Sequence, residues 1–394
     1  MPNKSKRILI IGMADSVHLA RWLSQFADQS IDFTLFPSSP HRHIHPMLKD
    51  LIASTTNRMT VTIKPHSMKW LALPLSAMDI PFNNRFRSQL LRRLINQQKF
   101  DLIHVLELQH AGYLLLGTKL APNLPKVFIT NWGSDIYWFQ QFPKHKDKIV
   151  QLLNIASFYS AECQRDIEIV KKLGYAGKTM PVIPNSGGIN LDEVPKDSLP
   201  PSQRKKIMIK GYTGFVGQAL TAIKACELAA EHLREYEIVI YSASLKSRFR
   251  ALKLRYIHDV KVTILKKRTP HHLMLKHFSE ARVYIGISLS DGISTSLLEA
   301  MATGCYPIQT GTSCAAEWIA NTQDGQIIVF PDAYKISEQL INVISNSTVL
   351  DTAADNNRRQ IFDRASSIKV AKTAKTFYQT TYLSGSKMNY CDLT

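Results

Sequence analysis

The feature that most constrains the fold of this chain is the alternation of short apolar runs with segments of helical length. In the first half, runs that predict buried strands lie at 7–12, 33–36, 101–106 and 127–130. Between them, apolar residues recur at helical spacing over 17–27 and 84–98. Strands separated by segments long enough for a helix predict parallel sheets built from βαβ units.

The alternation stops and then restarts in the second half of the chain. Residues 191–206 carry several prolines among charged residues without an apolar period, and they predict a linker. Further strands are predicted at 206–211, 237–241, 262–265, 283–286, 305–308 and 327–330, with a helix at 218–232 and an amphipathic segment at 355–380. We expect two Rossmann-like, doubly wound α/β domains, 1–190 and 207–354, that face a central cleft. A helical tail, 355–394, follows, and its return to the first domain is left open.

Length and charge narrow the class of protein. The chain has 394 residues, more than one hydrophobic core usually serves, which agrees with two domains. Its 49 Lys and Arg against 31 Asp and Glu give a net charge of +18, which favours anionic partners such as nucleic acid, nucleotide phosphates or an acidic membrane. The five cysteines form no C-x-x-C pair, and no run approaches the roughly 18 apolar residues of a spanning helix. A cytoplasmic location is expected, with peripheral attachment to the inner face of a membrane as the open alternative.

The most informative segment is 288–309, where a predicted strand ends in small polar residues and a helix begins near Ser294. The free amides of the first helical turn, with the hydroxyls of residues 294–296, predict an anion site at the positive end of the helix dipole. Asp291 precedes the turn, and Glu299 lies eight positions later inside the helix. Because a carboxylate offers two acceptor oxygens to a pair of hydroxyls, both acids are candidates for sugar contacts.

A structural interpretation of the same segment stays open. Ser296 and Glu299 match a capping box, in which Glu299 would return a hydrogen bond to the Ser296 amide. Asp291 directly before a glycine is also typical of an ordinary turn.

Together with motifs upstream, this segment resembles the E-x7-E region of the retaining GT-B glycosyltransferases of family 4. Asp291 stands in place of the first glutamate, and Glu299 is the second. Three further stretches are similar to motifs of that family in the same order: 12–22 to its first loop and helix, 132–135 to its H-G-x-D loop, and 184–185 to its I-P-N-G segment. The resemblance covers residues 8–331.

The resemblance implies transfer of a sugar, with retention, from a nucleotide-sugar donor to a glycan or lipid-linked acceptor. A place in the synthesis of cell-surface polysaccharide, such as lipopolysaccharide, is expected. The implied catalytic residues are Asp291, which contacts the transferred sugar, and Glu299, which binds the ribose hydroxyls. The donor-binding residues expected are Gly12, Lys210, Gly211, Ser242, Gly292, Ile293, Ser294, Thr295 and Glu299. His18, Trp132 and Asp135 are expected on the acceptor side.

Three positions depart from the pattern of the family. Asp291 is one methylene shorter than glutamate, and Trp132 stands where the family commonly has histidine. Residues 217–218 occupy the place of the family's phosphate-binding lysine, so Lys210 is expected to act as its substitute.

The sequence also bears on metal dependence and on other functions that an α/β fold of this kind can have. The chain has no D-x-D triplet, so neither a metal ion nor another cofactor is expected. An NAD-dependent oxidoreductase would carry G-x-G-x-x-G after the first strand, but residues 12–17 lack the later glycines. A nucleotide-sugar epimerase of the same fold and a non-catalytic nucleotide-sugar-binding subunit are the alternatives that stay open.

Two basic segments bear on the choice of partner. A predicted amphipathic helix carries Arg85, Arg87, Arg92 and Arg93 and would suit an anionic membrane surface, unless its apolar side simply docks on the sheet. A second run, 246–255, holds five Lys and Arg residues. No zinc, RNP-like or helix-turn-helix pattern accompanies this run, so we expect a solvated helix face and no nucleic-acid partner.

Overall fold

The structure is a computed structural model that describes residues 6–39, 43–54, 59–61, 84–119, 124–214 and 216–380. The chain divides into two units, one formed by Met1–Gly187 with Val370–Thr394 and the other by Gly188–Lys369. Residues 381–394 of the predicted tail lie outside the described residues. The predicted linker, 191–206, falls within the second unit.

The first unit contains a seven-stranded parallel sheet in the order β3-β2-β1-β4-β5-β6-β7. Its strands are β1 (Lys6–Gly12), β2 (Ile31–Pro37), β3 (Met59–Val61), β4 (Leu102–Leu106), β5 (Lys126–Thr130), β6 (Phe158–Ser160) and β7 (Lys178–Thr179). The four strands predicted in this half are confirmed. β3, β6 and β7 were not predicted, because two or three residues are too few to show a period.

The second unit repeats this topology with six parallel strands in the order β10-β9-β8-β11-β12-β13. They are β8 (Lys206–Lys210), β9 (Glu237–Tyr241), β10 (Lys261–Ile264), β11 (Ala281–Gly286), β12 (Tyr306–Thr310) and β13 (Gln326–Ile328). Each predicted run of the second half overlaps one of these strands. The prediction of two doubly wound parallel sheets is therefore confirmed.

Helices cover the sheets of both units. The first unit has α1 (Val17–Ser24), α2 (Pro46–Ala53), α3 (Arg85–Gln97), α4 (Tyr113–Gly117), α5 (Ser134–Tyr137), α6 (Pro143–Ile155) and α7 (Gln164–Lys172). The second has α8 (Ala219–Leu228), α9 (Leu245–His258), α10 (His271–Ser279), α11 (Thr295–Ala302), α12 (Ala333–Ser345) and α13 (Thr348–Arg364), and α14 (Ser367–Tyr378) follows. Val370, Ala374, Phe377 and Tyr378 of α14 are buried in the core of the first unit. Within the described ranges, no helix combines the length and the apolar character needed to cross a membrane.

Helix α3 docks its apolar side on the first unit, where Leu91 is buried in the core. Arg87 is buried as well, and its guanidinium donates to the backbone carbonyl of Pro37. The prediction that Arg87 faces a membrane is therefore wrong, since its charge is held inside the fold. The other arginines of that prediction are exposed: Arg85, Arg92 and Arg93.

A buried histidine links the tail helix to the first sheet. His104 lies on β4, with Nε2 2.7 Å from Oγ1 of Thr130 and Nδ1 hydrogen-bonded to the hydroxyl of Tyr378 in α14. Burial lowers the pKa of His104 to about 3. The imidazole is therefore neutral at pH 7 in the folded chain.

We expect acid to destabilise the first unit through His104. The unfolded histidine titrates near 6.5 and the folded one near 3, so between these values the unfolded chain binds the extra proton. Stability is then lost as the pH falls below 6.5, by about 2 kcal/mol between pH 7 and pH 5. Denaturant unfolding at both pH values should show this loss reduced by about that amount in His104→Gln. Equal acid losses in the two proteins would contradict this linkage.

Candidate functional site

The polar residues of the second unit meet where the strand order reverses. β8 and β11 are neighbours in the sheet, but successive strands are added outwards from β8 in one direction and from β11 in the other. In open α/β sheets, ligands bind outside the carboxyl ends of the two strands at such a point. Lys210 ends β8, and Asp291 lies five residues after the end of β11. Nζ of Lys210 is 3.6 Å from Oδ2 of Asp291. The structure thus brings together two residues that the sequence assigned to a donor site.

The strand period explains where Lys210 points. Ile207 and Ile209 pack in the core cluster on one face of the sheet, and Met208 packs in the cluster on the other face. Lys210 follows Met208 by two residues and shares its face, which α11 covers. Burial by itself lowers the pKa of Lys210, but Asp291, Tyr284 and Glu299 together outweigh this effect, so the pKa is raised. The ammonium is therefore charged at neutral pH.

Helix α11 begins where the sequence predicts. Ser294 is its N-cap residue, with extended backbone angles, and Thr295 is the first helical residue. Ser296 therefore lies inside the helix and cannot be the cap of a capping box. The interpretation of Ser296 and Glu299 as such a box is wrong, and Glu299 is not occupied by capping its own helix.

Glu299 instead contacts a histidine from another helix. Its Oε1 is 2.8 Å from Nε2 of His271, and Nδ1 of the same ring is 3.2 Å from Oε2 of Glu193. Glu299 is buried, whereas His271 and Glu193 are partly exposed. The imidazole fixes one oxygen of Glu299, so the other oxygen is left to accept hydrogen bonds from a hydroxyl pair.

Two buried tyrosines lie close to Lys210 and Glu299. The phenol of Tyr284 lies beside Tyr241 and Ser294 and close to Lys210. The phenol of Tyr241 lies beside Ser296 and close to Glu299. Burial raises the pKa of both phenols, so each stays protonated and can donate to an acceptor atom. The hydroxyls of both tyrosines are buried without a hydrogen-bond partner among the described residues.

The remaining predicted donor residues of this unit offer mostly backbone atoms. The amide of Gly292 donates to Oδ1 of Asp291 at 3.0 Å, which is the turn contact that the structural interpretation expects. Ile293 is buried in the core, so its side chain does not face a ligand. Ser242 is exposed, directly after β9, with a left-handed φ of 50°. Gly211 is packed closely: a Cβ there would lie 2.6 Å from Cγ2 of Ile240 and 2.8 Å from the carbonyl oxygen of Tyr241.

The remaining candidates lie in the first unit. Gly12 ends β1 at the switch point between β1 and β4. The rings of His18 and Trp132 contact each other, with centroids 5.4 Å apart. Asp135 is buried, and its carboxylate accepts hydrogen bonds from the amides of Trp132 (2.9 Å) and Leu108 (3.3 Å). Burial raises the pKa of Asp135 well above its usual range, and the nearby Glu107 raises it further. Asp135 therefore holds the Trp132 loop in place, while its contact with an acceptor stays a prediction.

Sequence reasoning missed four residues of the second unit's site: Glu193, Tyr241, His271 and Tyr284. The tyrosines stand in predicted strands, where an aromatic residue is ordinary core. His271 follows Pro270 at the start of a helix, and Glu193 lies in the predicted linker. No spacing in the sequence ties either of them to Glu299.

Two family descriptions match the chain. Residues 7–160 match the glycosyl transferase 4-like family, and residues 192–361 match the glycosyl transferases group 1 family. The first range lies in the first unit and the second range in the second. No curated protein sequence matches the chain.

Solved structures with the same fold extend over almost the whole chain. A sucrose-phosphate synthase from Thermosynechococcus elongatus is 14% identical, covers 96% of this chain and 99% of its own, and superposes with a TM-score of 0.71. HepE from Anabaena, solved in complex with UDP and glucose, is 14% identical over 95% of this chain and 100% of its own, with a TM-score of 0.66. A glycosyltransferase from Rickettsia africae is 14% identical over 97% and 100%, with a TM-score of 0.65. At such identities the likeness establishes the fold alone.

We expect Gly211→Ala to destabilise the second unit. The added methyl group would lie within 2.8 Å of backbone atoms of Tyr241 and Ala243, which cannot move without shifting the loop after β9. Overpacking of this kind costs about 1–3 kcal/mol. Thermal unfolding measures the effect, and Gly311→Ala is a useful contrast because the nearest atom to a methyl group there is Cγ2 of the Ile327 side chain, at 3.3 Å, and not a backbone atom. A melting temperature of Gly211→Ala equal to that of the wild type would show that the packing is not tight.

Proposed function

We propose that this chain, which belongs to the glycosyltransferases of the GT-B fold, transfers a sugar from a nucleotide-sugar donor that binds at the switch point of its second unit. The donor's ribose would be held by Glu299, its diphosphate by Lys210 and the start of α11, and its sugar by Asp291. The acceptor, a glycan or a lipid-linked glycan, is assigned to the first unit, where His18 and Trp132 lie together.

The observation that carries the proposal is the state of Glu299. The carboxylate is buried near the start of a helix, is not used as a cap and is held by His271 through one oxygen. Its other oxygen can therefore accept hydrogen bonds from a bound ligand. A ribose diol offers two donors at the right spacing for such a group.

Lys210, the tyrosine phenols and the start of α11 support a phosphate site beside this carboxylate. The first amides of a helix lack intrahelical acceptors and carry a positive partial charge. The charged ammonium of Lys210 adds a full positive charge at the same place, and the protonated phenols of Tyr241 and Tyr284 add donors. Such groups stabilise the negative charge that develops on a leaving diphosphate.

The proposal extends to transfer with retention and without a metal ion, as the resemblance implies. No side chain has to act as a dedicated base if the leaving diphosphate takes part in deprotonating the acceptor hydroxyl. Catalysis would then depend on positioning and charge stabilisation. A role in cell-surface polysaccharide synthesis and a cytoplasmic location belong to the same proposal.

A thermal-shift screen against UDP-, GDP- and ADP-sugars tests the donor, because a ligand that binds the folded chain raises its melting temperature. The complex of the Anabaena protein with UDP and glucose makes UDP-sugars the first members of the panel. No shift and no turnover with any member would refute the proposal. Binding without transfer to any acceptor would favour the non-catalytic subunit, and interconversion of donors without an acceptor would favour the epimerase.

Glu299→Ala is expected to weaken donor binding. Loss of charged hydrogen bonds to the ribose costs about 1.5–3 kcal/mol, which corresponds to about a 10- to 100-fold rise in Kd. The melting temperature should change by less than about 3 °C, because the loss of one contact to a partly exposed histidine costs little. Calorimetric titration with the donor identified in the screen measures the first effect.

His271→Ala and Glu193→Ala separate the parts of this contact. His271→Ala removes the group that orients Glu299, so donor affinity should fall by less than in Glu299→Ala. Glu193→Ala should have the smallest effect, since Glu193 touches only the far side of the imidazole. A fall in melting temperature with unchanged affinity in Glu299→Ala would show that the carboxylate serves the fold and not the donor.

Asp291→Asn is expected to slow transfer more than it weakens nucleotide binding. The amide keeps an oxygen for the Gly292 N–H but loses the charge that faces the sugar and Lys210. The turnover number should fall about tenfold or more, equivalent to about 1.4 kcal/mol of barrier. Lys210→Gln is the matched control and should mainly weaken nucleotide binding. Equal losses of both quantities in Asp291→Asn would contradict this division of roles.

A further inference from the structure

Helix α9 of the second unit has apolar residues on two opposite sides. It begins after the N-cap Ser244 and ends at Asp259, which has a left-handed φ of 54°. The buried residues on its inner side are Ser247, Ala251 and Leu254. Ala251 and Leu254 belong to the hydrophobic core on one face of the sheet. The fold therefore already uses one side of α9.

The opposite side of α9 carries a second line of large apolar residues, which we call the outer stripe. Its members and their exposed fractions are Leu245 (75%), Phe249 (71%), Leu252 (39%) and Tyr256 (76%). The intervals of four, three and four residues place them on one line along the helix. Adjacent large apolar residues with this exposure mark a surface that binds a partner.

Basic residues flank the outer stripe on both sides. At about 100° per residue, Lys246 and Lys253 fall on one side of it, and Arg248 and Arg255 fall on the other. Residues 245–258 contain no Asp or Glu. Lys246 and Lys253 are exposed, whereas Arg250, near the inner side, is paired with Glu227. The surface is thus apolar along its centre and positive along both margins.

We propose that the outer stripe docks this chain on an anionic lipid bilayer, with α9 lying in the plane of the headgroups. Phe249 and Tyr256 would enter the boundary with the acyl chains, and the exposed cations Lys246, Lys253 and Arg255 would meet lipid phosphates. This inference is independent of the donor site.

The charge pattern favours a bilayer over other occupants. A second copy of the chain docking through the same stripe would bring two positive margins together, which costs free energy. Single-stranded nucleic acid needs aromatic residues for base stacking, but Leu245 and Leu252 take two of the four places in the stripe. An anionic bilayer satisfies both the apolar centre and the positive margins, and the net charge of +18 attracts the chain to it.

Helix α3 makes an informative comparison. Its arginines led the sequence analysis to expect a membrane helix there, but Leu91 and Ile95 are buried against the first sheet. Its exposed side keeps Arg85, Arg92 and Arg93, with Phe86 as the exposed large apolar residue. The exposed side of α3 is therefore positively charged, but it has no line of large apolar residues like that of α9.

Co-sedimentation of the full chain with vesicles tests the proposal. Vesicles of phosphatidylglycerol and phosphatidylcholine in equal amounts should bind the wild type, and vesicles of phosphatidylcholine alone should bind it much less. The double variant Phe249→Ser, Tyr256→Ser should lose at least tenfold in partitioning to the anionic vesicles. Lys246→Gln with Lys253→Gln should also lose binding, and the remaining binding should depend less on salt.

Two controls complete the experiment. Phe362→Ser removes an aromatic residue of similar exposure, 58%, from α13 in the same unit and should bind like the wild type. Arg92→Gln with Arg93→Gln on α3 should have a much smaller effect than either α9 variant. Melting temperatures should match the wild type, because every substituted side chain is exposed.

Several outcomes would overturn the proposal. They are absence of wild-type binding to the anionic vesicles, equal binding by the Phe249 and Tyr256 double variant, and loss of binding in the α3 variant instead. Sedimentation velocity provides a further test: a wild-type dimer that the same double variant converts to a monomer would assign the stripe to self-association. Thermal shifts with nucleotide-sugars should be unchanged in every α9 variant, so the outcome is read separately from that of the donor site.

Discussion

The parallel pairing of strands in both sheets is the constraint on which the rest of the structure depends. Parallel neighbours cannot be joined by a tight turn, so the chain crosses over between strands and covers both faces of each sheet. Polar side chains that are to meet a ligand then collect where strands end. β8 and β11 lie side by side at the reversal of strand order, which brings Lys210 and Asp291 within 3.6 Å although 81 positions separate them in the sequence. The proximity of these two charged groups is thus a consequence of the strand order.

The parts of the site that depend on local sequence could be predicted, and the parts that depend on packing could not. The start of α11 at Ser294 follows from small polar residues before an apolar helical period, and the structure confirms it. His271 lies 28 positions before Glu299, and Glu193 lies 78 positions before His271. Their contact requires the linker segment and α10 to fold onto α11, which no periodicity or motif encodes. The prediction of a capping box at Ser296 and Glu299 was wrong for a related reason. A pattern of four residues does not show at which residue the helix begins, and the helix begins after Ser294.

The sequence also does not show which side of a helix is buried. Apolar residues at helical spacing predict a buried face, and in α3 they form one. Arg87 is drawn inside with that face because the carbonyl of Pro37 accepts from its guanidinium, a contact invisible in the sequence. In α9, small residues such as Ala251 complete the core, so the larger residues of the outer stripe are left outside. Composition alone cannot tell these two cases apart, since both helices mix arginine with leucine and phenylalanine.

The ion pair of Lys210 and Asp291 connects the parts of the proposed site. Both side chains are partly exposed, and pairs of this kind contribute about 0–1 kcal/mol. A donor diphosphate carries more negative charge than one carboxylate and also gains from the N-terminus of α11, by about 0.3–1 kcal/mol. The diphosphate can therefore take Lys210 from Asp291 at little cost. Asp291 would then keep its turn contact, in which Oδ1 accepts from the Gly292 amide. In the proposed site, phosphate binding would therefore separate Asp291 from Lys210 before the carboxylate meets the transferred sugar.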